Sequence, residues 1–243
     1  MFKKQGIVLL AAAMTALAPF SYGDLNLISL YDAADFADST SGNFPQVSVP
    51  LNGALPSSVY FDIELVNISN LNTQYGSFFG AGFLSSGSFL GEFSIGADTD
   101  VGSSDGVFGN LIGNDNTTSA SLDSGGIAEG TRVWIKLSAI GDIVSAQVID
   151  QADDSIIYSG TYSIPGVQTA DALSVRSFDN EGIIAPTLVT GGTEDYWELR
   201  ATRTGVDATV KFYGVSIPEP STIAFVGIFG GGLWFVRRYF PSV

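Results

Sequence analysis

The sequence predicts an all-β domain, a sandwich of two sheets, between two apolar terminal segments. Within residues 24–217, short stretches alternate apolar and polar side chains with a period of two, which is typical of strands buried on one face. Turn-forming Gly, Asn and Asp residues separate these stretches at intervals of about ten residues, as in sandwiches of many short strands. Hydrophobic residues make up 45% of the 243 residues, enough to fill a core between two sheets.

The individual strands follow from the same pattern. Val59–Leu65 alternates most clearly and places Asp62 and Glu64 on its polar face. Arg132–Leu137 and Ile143–Ile149 flank a turn at 139–142 and form a predicted hairpin. Further strands are predicted at 77–84, 88–95, 155–163, 172–178, 196–201 and 208–217, one helical turn at 32–36, and long loops or weak strands at 39–53 and 98–126.

Charge and residue types narrow the function classes. Between Asp24 and Ile217 there are 24 acidic and six basic residues. Such a body repels phosphate backbones, so we expect no nucleic-acid partner. The sequence has no Cys and no His, which removes disulfides, thiolate nucleophiles, the commonest zinc ligand and the usual serine triad.

The amino-terminal segment has the parts of a secretory signal peptide. Lys3 and Lys4 precede the apolar run Gly6–Leu17, and Ser21-Tyr22-Gly23 offers a cleavage site before Asp24. A retained membrane anchor is the alternative, although the apolar run is short for one.

The carboxyl-terminal segment runs from Pro218-Glu219-Pro220 through the apolar stretch Ser221–Val236 to Arg237-Arg238. As a helix, this stretch would span about 24 Å, somewhat less than the roughly 30 Å hydrocarbon core, and we predict a marginal transmembrane helix. Because basic residues stay on the cytoplasmic side, both tips remain inside while the acidic body crosses the membrane. A buried core helix is the alternative.

This order resembles the PEP-CTERM sorting signal of Gram-negative bacteria. The resemblance implies recognition by a membrane exosortase at Pro218, Glu219, Pro220, Arg237 and Arg238, after transient anchoring in the inner membrane. Cleavage would then release the protein or attach it to the cell envelope, outer surface or extracellular matrix, where such proteins are typically associated with polysaccharide and biofilm. The expected organisation is a signal peptide (1–23), a β-sandwich (24–217) and the sorting signal with its transmembrane helix (218–243).

The body also resembles concanavalin-A/laminin-G-like jelly rolls. The similar stretches are the hairpin "GTRVWIKLSAIGDIVSAQVIDQADDSIIYSGTY" and the closing strand "DATVKFYGVSI". This resemblance implies glycan binding as the commonest activity and polysaccharide cleavage as a minority one.

Cleavage would need two carboxylates about 5–10 Å apart across the sugar. Asp62 and Glu64 share a strand face at about 7 Å, but they depart from the acidic run of concanavalin-like glucanases in order and lack its third acid. The run Glu194–Glu198 also fails the spacing. We therefore expect a protein that is not an enzyme, with these acids on a solvated strand face.

Calcium is the one cofactor that the sequence suggests. Asp98, Asp100 and Asp105 lie in a Gly-rich loop of the kind that calcium prefers, although the loop lacks the EF-hand Gly and Glu. A second acidic turn, 150–154, is a weaker candidate. The alternative for both is a solvated turn whose acids cap their own backbone.

Three aromatic residues are candidate glycan platforms. Trp134 is predicted to share a strand face with Arg132 and Lys136, and Tyr196-Trp197 lies within an acidic run. The alternative is that these rings are covered by neighbours or fill the core.

The sequence thus favours an exported, non-catalytic polysaccharide-binding or structural component of the envelope or biofilm matrix. A glycoside hydrolase or lyase on the same scaffold is the alternative, and a surface adhesin without a sugar site is a third possibility.

Overall fold

The structure is a computed structural model that describes residues 26–41, 44–68, 76–98, 106–113, 118–121, 127–178, 184–203 and 206–219. The predicted signal peptide, Pro220, the predicted transmembrane helix, Arg237 and Arg238 lie outside these residues. Within the described ranges, no helix is long and apolar enough to cross a membrane.

The described residues form an all-β sandwich, as the alternation predicts. The strands are β1 (Leu27–Asp32), β2 (Ala37–Ser41), β3 (Phe44–Pro50), β4 (Ser58–Ile68), β5 (Gly76–Ser85), β6 (Ser88–Asp98), β7 (Gly106–Gly113), β8 (Thr118–Ser121), β9 (Arg132–Ile140), β10 (Ile143–Asp150), β11 (Ile156–Ser163), β12 (Ala172–Ser177), β13 (Thr187–Val189), β14 (Tyr196–Arg203) and β15 (Val206–Pro218). Single 3-10 turns lie at Ala33–Asp35, inside the predicted helical turn, and at Val167–Thr169.

The strands form two antiparallel sheets. The first, sheet A, has the order β11-β10-β9-β4-β15-β14-β13, and β1 pairs with the end of β15. The second, sheet B, has the order β2-β3-β12-β5-β6-β7-β8. The predicted hairpin is β9-β10, whose turn is Gly141-Asp142, with Gly141 in the left-handed region at φ +58°.

Alternating apolar side chains from both sheets fill the space between them. The predicted inner face of β4 is confirmed, because Val59, Phe61, Ile63 and Leu65 are all buried in the core. Sheet B contributes phenylalanines such as Phe79, Phe83 and Phe93 to the same cluster. The core therefore lies where the period of two predicts it.

The stretch 39–53 is more ordered than the sequence suggests. It contains the ends of β2 and the whole of β3, and Val47 and Val49 are buried on the inner face of sheet B. The stretch 98–126 likewise contains β7 and β8. The glycine and serine residues of these stretches weaken the sequence pattern by which a strand is recognised. Pairing with neighbouring strands stabilises the strands despite this low intrinsic propensity.

The first and last described strands lie together. Leu27 opposes Pro218 in the antiparallel β1-β15 pair, and the Glu219 N–H donates to the Asn26 carbonyl at 3.0 Å. Two residues of the predicted sorting motif, Pro218 and Glu219, therefore lie beside the start of β1 and are exposed.

Candidate binding site on the outer face of sheet A

The outer face of sheet A carries a group of charged and aromatic side chains from non-consecutive strands. On β4, Asp62 and Glu64 alternate with core residues, and on β9, Arg132 and Trp134 do the same. The β4-β9 register opposes Asp62 to Trp134 and Glu64 to Arg132. Antiparallel pairing thus brings two carboxylates, one guanidinium and one indole to the same surface.

Tyr213 on β15 also lies on this surface, at a β-bulge. The register runs from Phe212 opposite Ile63 directly to Gly214 opposite Asp62, so Tyr213 is the extra residue. Bulges are common beside functional sites. Gly214 has φ +143°, and a Cβ at this position would lie 2.5 Å from the Tyr31 carbonyl oxygen, so the bulge requires glycine.

Asp62 holds Arg132 in one orientation. Arg132 Nε donates to Asp62 Oδ1 at 2.8 Å and Nη2 donates to Oδ2 at 2.7 Å, a bidentate pair. Gln151 Nε2 also donates to Asp62 Oδ1, at 2.7 Å. Asp62 is only 8% exposed, so its predicted place on a solvated strand face is wrong. The Arg132 and Gln151 side chains cover Asp62 and donate hydrogen bonds to both of its carboxylate oxygens.

A second carboxylate reaches Arg132 from the 190–195 loop. Arg132 Nη1 donates to Glu194 Oε2 at 2.7 Å. The guanidinium also lies over the Tyr213 ring, with Cζ 3.8 Å from the ring centroid. The hydrogen bond to Asp62 is the largest contribution that raises the pKa of Arg132 above its ordinary value. Arg132 is therefore a fixed, permanently charged group.

Glu64 forms a neighbouring network with Tyr213 and Lys211. Lys211 Nζ lies 3.0 and 3.2 Å from the two Glu64 oxygens, and the Tyr213 hydroxyl donates to Oε2. Partial burial alone would raise the pKa of Glu64, but the hydrogen bonds from Tyr213 and Lys211 outweigh it and lower that pKa. Burial, followed by the bond to Glu64, raises the pKa of Tyr213. Glu64 is thus held ionised and Tyr213 protonated.

Asp62, Arg132, Glu194 and Tyr213 line a cleft of about 480 Å³. Its other lining residues come from β1 and the first 3-10 turn, from the loop before β14 and from β15: Ser29, Tyr31, Asp32, Ala33, Ala34, Thr193, Asp195, Gly214, Val215 and Ser216. Trp197 Nε1 donates to the Ala33 carbonyl at 2.7 Å, which fixes the first 3-10 turn to the core. The cleft lies within the size range of small-ligand sites.

The three predicted aromatic platforms occupy different places. Trp134 shares the outer face with Arg132 and Lys136, as predicted, and is half-buried by an edge contact with Tyr60 at 6.4 Å between centroids. Tyr196 is half-buried on the same face, 5.6 Å from the Tyr213 ring. Trp197 points the other way and is 7% exposed, so it is a core residue and not an exposed platform.

The predicted calcium loop is mostly outside the described residues. Asp98 ends β6, whereas Asp100 and Asp105 are not described. Within the described ranges, no group of three carboxylates is placed to hold a metal. In the second acidic turn, Asp150 accepts the N–H of Ala152 and Asp153 that of Ser155, so these acids cap their own backbone.

The ion pairs and the place of Tyr213 in the site were not predicted from the sequence. Asp62 and Arg132 are 70 residues apart, and their neighbouring positions on one polar face become visible only once β4 is known to pair with β9. A signal existed in the alternation itself, which assigned both residues to outward faces. Tyr213 follows the same alternation, because Val210 and Phe212 are buried on β15 and Lys211 and Tyr213 face outward. What the alternation does not indicate is the bulge after Phe212.

The chain matches no family model and no curated protein. Among solved structures, it is similar to the CBM2 module of the evolved Dit of Lactobacillus casei BL23 phage J-1, with 11% identity, a TM-score of 0.39 and coverage of 82% of this chain and 84% of that one. It is also similar to the carbohydrate-binding module CBM66 from Bacillus subtilis (14%, TM-score 0.37, 81% and 98%) and to peanut lectin (9%, TM-score 0.39, 82% and 94%). No site residue is carried over from these proteins.

Proposed function

We propose that this chain is an exported, non-catalytic protein that binds polysaccharide in the cleft on the outer face of sheet A. The observation that carries the proposal is the Arg132 guanidinium, which is hydrogen-bonded to Asp62 and Glu194 and lies over the Tyr213 ring at the border of an open cleft. A sugar offers hydroxyls to planar charged groups and C–H faces to aromatic rings. A surface whose charged and aromatic side chains are already held in place binds such a ligand without the entropic cost of ordering those side chains.

The arrangement of carboxylates favours binding over cleavage. Glycoside hydrolysis needs one protonated carboxyl group and a second carboxylate free to attack or to activate water. Asp62 is occupied by Arg132 and Gln151, and Glu64 has a lowered pKa and is occupied by Lys211 and Tyr213. Neither group of the pair that the spacing suggested is available as a general acid, which leaves the hydrolase or lyase as the less favoured candidate.

The ends of the described chain support the proposed export route. Asn26 and Glu219 are hydrogen-bonded neighbours, so the segments before and after the sandwich leave it at one place. Segments that extend from neighbouring points of the sandwich can both reach a membrane that lies on that side of the domain. A signal peptide and an exosortase-processed PEP-CTERM helix would require this. The protein would then reach the envelope or the extracellular matrix of a Gram-negative bacterium, with calcium in the 98–105 loop as an additional proposal.

Affinity electrophoresis of the purified protein in gels containing soluble polysaccharides tests the binding. We expect retardation by at least one glycan, with no release of reducing or unsaturated ends. Tyr213→Ala and Arg132→Gln change two residues that line the cleft, and each should reduce the retardation at least tenfold. Arg200→Gln changes an exposed residue of β14 outside the cleft and should not. Glycan turnover would favour the hydrolase or lyase, and no retardation by any glycan would contradict the proposal.

Intact-mass analysis of the protein recovered from its native host tests the export separately. A mass lacking about the first 23 residues and the segment after Pro218-Glu219-Pro220 is expected. A cytoplasmic protein that keeps both segments would contradict this part alone.

A further inference from the structure

The charges around the cleft are strongly unbalanced. Among the described residues that line it, Asp32, Asp62, Glu194 and Asp195 are acidic and Arg132 is basic. The neighbouring Lys211 is already paired with Glu64. A ligand that enters the cleft therefore meets an excess of negative charge.

The guanidinium does not offset this excess for a ligand. Its Nε and Nη2 donate to Asp62 and its Nη1 to Glu194, so one positive charge is shared between two carboxylates. A guanidinium has five N–H groups, and those three bonds leave two that no hydrogen bond among the described residues engages. The Arg132 side chain is 31% exposed, so these N–H groups can still donate to a neutral oxygen.

Hydroxyl groups fit such a site better than carboxylates or sulfates. A sugar hydroxyl both donates and accepts, so it can give a hydrogen bond to Glu194, whose side chain is 54% exposed, and accept one from Arg132. A ligand anion could accept from Arg132 but would face the carboxylates without a compensating charge. Juxtaposed like charges are a common means of rejecting wrong partners.

We propose that the cleft selects uncharged, hydroxyl-rich glycans and rejects polyanionic ones such as uronic-acid or sulfated polymers. This proposal rests on the proposed function, because it names the ligand class of the same cleft. Glu194 is its main selectivity determinant, since it is the exposed carboxylate that contacts Arg132.

The test compares matched polymers that differ in charge. Dissociation constants of the full chain are measured for methyl-esterified polygalacturonate against polygalacturonate and for xylan against glucuronoxylan, at low and at physiological salt. For each pair with binding, we expect the neutral member to bind at least tenfold more tightly at low salt. The difference should narrow as salt screens the carboxylates.

Variants separate selectivity from stability. Glu194→Gln removes one negative charge, so it should improve binding of the anionic member and at least halve the discrimination. Glu198→Gln is the matched control, because Glu198 lies on the same face outside the cleft and pairs with Arg200 at 3.2 Å. Unfolding temperatures of both variants show that the fold is retained.

The outcomes are distinct. Equal or tighter binding of the anionic members overturns the inference and leaves the proposed function standing. An unchanged discrimination in Glu194→Gln overturns the role of Glu194. If none of the four polymers, nor any glycan in the electrophoresis, is bound, the proposed function fails and the inference falls with it.

Discussion

Glu92 and Arg176 form a bidentate ion pair across the full width of β5, on the outer face of sheet B. Arg176 Nε and Nη2 donate to the two Glu92 oxygens at 2.7 Å each, although the residues lie on β6 and β12. The Arg176 side chain is 8% exposed and the Glu92 side chain 1%. The Arg176 guanidinium is also flanked by the rings of Phe89, Phe178 and Phe44, at 4.2, 4.6 and 5.3 Å from Cζ to the centroids. The ion pair thus links β6 to β12 across β5, which lies between them in the sheet.

Breaking the buried pair should be costly. Glu92→Gln leaves the Arg176 charge in a covered site without its partner, and we expect a loss of about 3–5 kcal/mol in the free energy of unfolding. Glu198→Gln breaks the exposed pair with Arg200 and should cost no more than about 1 kcal/mol. Urea unfolding of both variants measures the difference. Similar small losses in the two variants would contradict the structural role of the buried pair.

Gly80 on β5 makes room for the same pair. A Cβ at Gly80 would lie 2.2 Å from Glu92 Oε2, whereas one at Gly82 would lie 2.2 Å from the backbone oxygen of Gly91. We expect Gly80→Ala and Gly82→Ala each to destabilise the fold by about 1–3 kcal/mol. In a Glu92→Ala background, the penalty of Gly80→Ala should largely disappear, while that of Gly82→Ala should remain. A double-mutant cycle measures this coupling, and equal penalties in both backgrounds would show that the contact with Glu92 is not the cause.

Gly214 should be required for the bulge that contains Tyr213. Gly214→Ala introduces a side chain at φ +143° and a close contact with the Tyr31 carbonyl. We therefore expect the free energy of unfolding to fall by about 1–3 kcal/mol. The displaced Tyr213 should also weaken glycan binding. Gly192→Ala is the control, because a Cβ there meets its nearest atom only at 3.5 Å. Calorimetry and gel retardation report the two effects, and a stable variant with full binding would contradict the prediction.

Glu64 should contribute stability that disappears in acid. Its pKa is lowered in the folded protein, so its contribution is fully present above the ordinary pKa and is lost as the pH falls through the folded pKa. The difference in unfolding free energy between the wild-type protein and Glu64→Gln should therefore shrink as the pH is lowered from 7 through 4.5 and below. Tyr213→Phe, which removes one of the bonds that lower this pKa, should move that loss to higher pH. A difference independent of pH would contradict the assignment.

The strands with clean alternation could be predicted closely, whereas those rich in glycine and serine could not. The predicted strand 59–65 lies inside β4, and the predicted hairpin is β9-β10. The stretch that contains β3, with its buried Val47 and Val49, was predicted only as a long loop or a weak strand, because β3 contains Pro45 and Pro50 and lies in a Gly- and Ser-rich stretch. Its pairing with β2 and β12 stabilises it, and that pairing is not a local property.

For the site, the sequence supplied candidates but not their relations. It placed Trp134 beside Arg132 and Lys136 correctly, because residues two apart on a strand share a face. The sequence does not determine whether Tyr196 or its neighbour Trp197 faces outward, because the strand that pairs with this segment, and its register, cannot be read from it. The β14 pairing decides this, and it puts the Trp197 indole against Ala33.

By itself, the sequence determined that the body is all-β, strongly acidic and free of Cys and His, and it determined which residues of a regular strand share a face. These properties are local or additive, so no knowledge of the fold is needed. Only the tertiary structure decided which faces meet: Asp62 with Arg132, 70 residues away, and Glu92 with Arg176, 84 residues away. Strand order and register set these contacts. Hydrogen-bonded ladders join segments that are far apart along the chain, and this separation leaves no pattern in the sequence.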